Sequence, residues 1–291
     1  MIRINHIFPF LCVPAFICLC WSPPVFADSA FYVPSVHENG YTNEFDIGFG
    51  IDAWSTSTNQ SGFSGHESVP IDMIHLRYLV YKPQSIVFAM NFYYASSFAN
   101  PATGSQTSCP GTGCTTTPIS ESLGSLMNQL SLGVGYSATP LASDSLNTWF
   151  ALGFHQQNLW ATASSFGSQS GFTIPYLGVT LYNQYLVVPT RWVLFQEIGA
   201  RAAFIAFPPG PPVEPNQQGF QLGDALNGHA LAGARYYLTK YFALYGDVSG
   251  SDWMFSGRNL MYDAALNATH GRSLSSRTFW YGGEIGVTFN W

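Results

Sequence analysis

Charged side chains are scarce in this sequence, and eight of them fall at one kind of position. Asp46, Asp52, Arg77, Glu197, Arg201, Arg235, Asp247 and Glu284 each occupy the polar phase of a segment whose other phase is apolar, and His75 and His155 do the same. Charges of opposite sign gathered inside a narrow enclosure form ion pairs, because a buried charge needs a partner. Charged side chains lining a constricted path also select the solute that passes. Both chemistries are open to this set. Glycines in the same phase, Gly48, Gly50, Gly133, Gly135, Gly153 and Gly199, either leave space for a solute or make way for large neighbours.

Other chemistry is weakly signalled. Acyl transfer needs a nucleophile, a base and a group that orients the base. His270 and Ser273 come nearest, but Gly271 and Arg272 separate them and no third partner is evident. His66, Glu67 and Asp252 are candidate acids and bases for a rim protease, yet no spacing joins them. No catalytic residue is assigned, and no enzyme activity is expected. Cys109 and Cys114 enclose Pro110-Gly111-Thr112-Gly113, which in an exported chain reads as a disulfide closing a loop tip. That segment holds no further thiol or imidazole for zinc, so neither metal nor cofactor is expected.

The elements that position these residues follow from composition. Charged residues make up 9% of the 291 and aromatics 16%, whereas a water-facing globule carries about a quarter charged residues. Much of the outer surface therefore does not face water. A net charge of −6 argues against nucleic-acid binding. Arg3, the apolar run from Ile7 to Trp21 and the site at Val25-Phe26-Ala27 read as a cleaved signal peptide over residues 1–27. Cys18 and Cys20 follow the large Ile17 and Leu19, so lipidation is not expected. Residues 28–291 form the single remaining domain. It has no run of the roughly 18 to 20 apolar residues that a membrane helix needs, so it crosses a membrane only as a closed barrel.

Its segments alternate accordingly. Phe45, Ile47, Phe49 and Ile51 oppose Asp46, Gly48, Gly50 and Asp52. The period of two predicts a strand with one lipid-facing and one inward face. Similar segments follow at Ile74–Val80, Ile86–Ala95, Gln129–Tyr136, Phe150–His155, Phe172–Tyr182, Trp192–Phe204, His229–Leu238, Phe242–Val248 and Phe279–Trp291. The facing of Phe172–Tyr182 is ambiguous. The expected fold is all-β: a closed antiparallel up-and-down transmembrane barrel of ten strands, with eight or twelve as alternatives, short turns on one rim and five long outer loops on the other. Trp149, Tyr182, Trp192, Tyr236, Tyr241 and Trp291 near the short turns, and Trp54, Tyr94, Trp160, Phe204 and Trp253 near the long loops, suggest two aromatic girdles.

The last strand ends Glu284-x-Gly286-x-x-Phe289-x-Trp291, which resembles the assembly signal of bacterial outer-membrane barrels. The stretch from Gly228 to Tyr245 resembles the penultimate hairpin of small opacity-like and porin-like outer-membrane barrels. The detailed resemblance covers roughly residues 228–291. It implies a multi-pass protein of the Gram-negative outer membrane, in contact with outer-membrane lipids and lipopolysaccharide, with the barrel-assembly machinery and periplasmic chaperones, and with a possible host or surface ligand. Such barrels include adhesins, structural barrels and narrow pores, so a role does not come with the resemblance. The expected role is a passive, structural or narrow-pore barrel with a charge-paired lumen. A surface adhesin acting through its loops is the alternative, and a lipid-modifying or proteolytic enzyme ranks third.

Overall fold

A computed structural model describes residues 41–60, 63–109, 113–138, 144–161, 170–187, 191–203, 218–263 and 268–291. The expected signal peptide and Phe204 lie outside them. Ten strands are present among the described residues: β1 Thr42–Gln60, β2 Phe63–Tyr81, β3 Ser85–Ser108, β4 Thr115–Ala138, β5 Asp144–Ala161, β6 Ser170–Val187, β7 Trp192–Ala203, β8 Gln218–Thr239, β9 Phe242–Asp263 and β10 Ala268–Asn290. Each pairs antiparallel with its sequence neighbours, and β10 returns to pair with β1 from Glu44↔Asn290 to Gln60↔Leu274. The barrel has no free edge over that span, which is the condition for a sheet in lipid.

The alternation read from sequence sorts the two faces. Phe49, Ile51, Phe88, Leu132, Phe150, Leu177, Leu194, Val248 and Ile285 point outward, with Phe150 75% and Ile285 74% exposed. Apolar side chains this bare form a belt for hydrocarbon. The residues between them are buried in the lumen. Ile174, Tyr176, Thr180, Tyr182 and Gln184 of β6 point inward while Leu177, Val179 and Leu181 point outward, which resolves the ambiguous segment.

Two expectations are corrected. Four aromatics expected in the girdles, Trp54, Trp149, Tyr182 and Trp253, are buried in the lumen instead. Their parity decides this, since each shares the phase of an inward polar residue on its own strand. Trp192, Tyr236, Tyr241 and Trp291 are exposed on the short-turn rim. Tyr94 faces outward, half-buried, and the side chain of Trp160 lies outside the described set. The described parts of the long outer loops are also largely strand. β3 and β4 pair from Ser85↔Ser137 to Ser108↔Thr115 through what reads as a Ser/Thr/Gly-rich loop, and β9 and β10 extend to Asp263 and Ala268. Backbone pairing continues into water without needing apolar side chains, so the strand signal fades where the belt ends. About ten residues cross a membrane as a strand. β3 and β4, with 24 residues each, stand far above the belt, whereas β7 has only 12.

Candidate functional site

The eight charges singled out by parity all reach the lumen, joined by Glu44 and His229, which sequence reasoning did not assign. The signal for both was available: Glu44 shares the phase of Asp46, and His229 that of Arg235. Among the described residues the buried lumen charges are six carboxylates, Glu44, Asp46, Asp52, Glu197, Asp247 and Glu284, against three guanidinium groups, Arg77, Arg201 and Arg235.

Toward the short-turn rim, Asp46 on β1 is the focus. Arg77 of β2 donates to it from Nε at 2.9 Å and again from Nη2. Arg235 of β8 donates from Nη2 at 2.8 Å, and its Nη2 lies 2.7 Å from Glu44. The Thr288 hydroxyl donates to Asp46 Oδ1 at 2.6 Å while accepting from Arg235 Nε at 3.0 Å. The charges are thus neutralised and hydrogen-bonded together, as buried ions must be. The Arg77 guanidinium lies 4.5 Å from the ring centroid of Tyr182 across the lumen, and that of Arg235 lies 4.4 Å from Phe195 on the adjacent strand, adding cation–π contact.

Several bonds cross the full lumen. In a ring of ten strands β1 faces β6, and β2 faces β7. Gln184 of β6 donates to Glu44 of β1 at 2.6 Å, and Tyr182 donates to the same carboxylate at 3.4 Å. Arg77 of β2 lies 3.8 Å from Glu197 of β7. Opposite walls are therefore tied through side chains at the level of the arginines.

Glu284 of the terminal strand sits beside this layer. His75 Nδ1 is 3.0 Å from its Oε1, and the Tyr245 hydroxyl donates to the same oxygen at 2.9 Å. The His75 ring stacks on Tyr93 at 3.9 Å. Asp247 of β9 is Glu284's register partner, and Asp52 of β1 sits opposite Gly282. Neither carboxylate of Asp52 and Asp247 is matched with an arginine in the ion pairs of the described residues. His229 Nε2 is 3.0 Å from Glu197. Toward the long-hairpin rim, Arg201 donates to Gln129 at 3.3 Å and to Asn227 at 3.1 Å, and Asn227 donates to Ser251 at 2.7 Å. His155 stacks on Trp253 there, with ring centroids 5.0 Å apart.

The inward glycines have partners. A Cβ at Gly133 would enter the Trp149 ring on the neighbouring strand, and one at Gly153 would come 2.7 Å from the Tyr176 ring. They make room for large neighbours, so their lack of side chains does not leave a channel at these levels.

In the terminal motif Glu284 and Gly286 point inward, while Phe289 and Trp291 point outward. Phe289 packs against Phe242 at 5.5 Å, and Trp291 stacks on Tyr78 at 5.9 Å. Cys109 and Cys114 are joined in a disulfide at the β3–β4 tip. Of the weak catalytic candidates, Asp252 accepts three hydrogen bonds from Arg277 at 2.5 to 3.0 Å. His66 is exposed on β2, and Glu67, His270 and Ser273 lie on strands with their side chains outside the described set.

No protein-family model and no curated protein matches the chain. Solved structures do. The outer membrane protease OmpT of Escherichia coli superposes with a TM-score of 0.58 at 13% identity, over 88% of this chain and all of that one. OprG of Pseudomonas aeruginosa and the translocator domain of the autotransporter NalP of Neisseria meningitidis also match, at 10% identity each, with TM-scores of 0.39 and 0.35 and 86% and 87% of this chain covered. At such identities the likeness concerns architecture only. With its apolar belt, polar lumen and ten-strand closure, this chain has the fold of the bacterial outer-membrane β-barrels.

Proposed function

We propose that this chain is a structural outer-membrane barrel whose lumen is closed by its own side chains. The observation that carries this reading is the set of ties between opposite walls, Gln184 and Tyr182 to Glu44 and Arg77 to Glu197. A wide aqueous channel takes 16 to 18 strands, whereas a barrel of about eight is filled by its side chains. Ten strands with arginine, tyrosine and tryptophan inside belong with the second group. The test is single-channel recording in planar bilayers: the purified barrel should give no steps above the lipid baseline, and reproducible ohmic steps would overturn the reading.

A second reading builds on the same barrel. The β3–β4 hairpin exceeds what a membrane span needs, is paired almost to its tip and is closed there by Cys109–Cys114. Ordered polar strands above a sealed base suit a contact surface for an extracellular or host ligand. Deleting residues 100–122 should abolish adhesion to surfaces that bind the intact protein; unchanged adhesion would remove this reading. A protease role like that named for OmpT draws no support from Asp252, which is held by Arg277. Location in the outer membrane, with the short turns in the periplasm as such barrels are arranged, is part of the same proposal.

A further inference from the structure

Charged positions that take no part in the lumen network divide by sign between the two ends of the strands. On the short-turn rim the strand order places Lys82, Arg191 and Lys240 in three turns, against Asp144 at the start of β5. The outer halves of the strands instead carry Glu67, Asp72, Glu121, Asp224, Asp252 and Asp263 against Arg258, Arg272 and Arg277. The periplasmic rim is the basic one.

Arg191 is bonded to the strand end that leads into the turn of Lys240. The Tyr237 amide donates to the Arg191 carbonyl at 2.9 Å, and Arg191 Nη1 donates to the Leu238 carbonyl at 3.3 Å. These bonds fix Arg191, just before β7, against the end of β8, with Leu238 two residues before Lys240. The Lys240 ammonium lies 4.7 Å from the Tyr241 ring centroid. On the adjoining lipid-facing wall Trp192 and Tyr236 pack with centroids 5.0 Å apart, and Leu194, Leu238 and Leu244 are exposed. Two cations at the membrane boundary, over an amphipathic aromatic pair and an apolar wall, match a lipid with an anionic head and its chains running into the belt.

Resting on the membrane-barrel reading, we propose that Arg191 and Lys240 seat the phosphate of an anionic phospholipid of the phosphatidylglycerol class in the periplasmic leaflet. The aromatic pair and the leucines favour a lipid over a free anion. Two cations favour a head with net negative charge over a zwitterion, whose own ammonium they repel.

Native mass spectrometry of the detergent-purified barrel, mixed with equal amounts of phosphatidylglycerol and phosphatidylethanolamine, tests this. Phosphatidylglycerol should be retained in preference. Arg191→Gln and Lys240→Gln should each lower its occupancy roughly fivefold, the effect expected of one basic residue at an anionic surface. Lys82→Gln, on a different turn, should not. The charge-preserving Arg191→Lys and Lys240→Arg should retain the lipid, which separates lost charge from a disturbed turn. Equal retention of both lipids, or wild-type occupancy in the Arg191→Gln/Lys240→Gln double variant, would overturn the proposal. Single-channel steps would overturn the sealed lumen and leave this site untouched, so the two failures are distinguishable.

Discussion

Arg235 reaches Glu44 at 2.7 Å, Asp46 at 2.8 Å and Thr288 at 3.0 Å while fully buried. Arg235→Ala leaves two buried carboxylates sharing Arg77. The expected loss is about 3 to 5 kcal/mol, the cost of breaking a buried ion pair on one side. Urea unfolding followed by the mobility difference between folded and boiled barrel on a gel would measure it. Arg235→Met combined with Glu44→Gln should lose less than Arg235→Ala alone, because the charge left without a partner is removed as well. Gly133→Val tests the packing beside Trp149: a branched side chain there should cost about 1 to 3 kcal/mol, and Trp149→Ala in the same chain should recover part of it. Residue identities were legible wherever parity governs. Asp46, Arg77, Glu197 and Glu284 could be assigned inward from alternation alone, and Glu44 would have followed from one more step of the same count. The tryptophans misled because an interfacial aromatic and a lumen aromatic share one composition. Only the phase separates Trp149 from Trp192.

Among the elements, the strands could be read only as far as the apolar belt. Ile86 to Tyr94 announces β3, but the continuation through Thr103, Ser105 and Thr107 has no apolar phase and reads as loop. What holds it is pairing with both neighbours, which sequence alternation does not encode. The disulfide lies at the far end of this extension. Replacing Cys109 and Cys114 by Ser should leave the barrel's urea midpoint unchanged, since the tip opens independently of the belt. Closing a loop this short contributes about 2 kcal/mol, so the open population of the tip should rise roughly thirtyfold. Limited proteolysis between Ser105 and Thr117 would detect that as faster cleavage while the barrel stays intact.

For the molecule as a whole, strand number and closure were accessible because both rest on counting: short and long connectors alternate, and an even count brings both ends to one rim. The filled lumen was not accessible. Glu44 and Gln184 stand 140 residues apart in sequence, and no local pattern reports that two inward side chains meet across a barrel. The sequence therefore favoured a plug over a pore only on the general ground that buried charges pair, and the contacts between facing strands are what add particular partners to it.

The closing seam between β1 and β10 also sets an order in time. Asn43 and Trp291 exchange backbone hydrogen bonds at 3.2 Å each way, and Asp46 draws on Arg77 31 residues away but on Arg235 189 and Thr288 242 residues away. The first hairpin can neutralise Asp46 at once with Arg77. The remaining partners arrive only when nearly the whole chain is present, and contacts so distant in sequence form late because the intervening loop must first be closed. Assembly should thus wait on its last residues and then finish in one step, in which the wall closes and the buried charge reaches its full set of partners together.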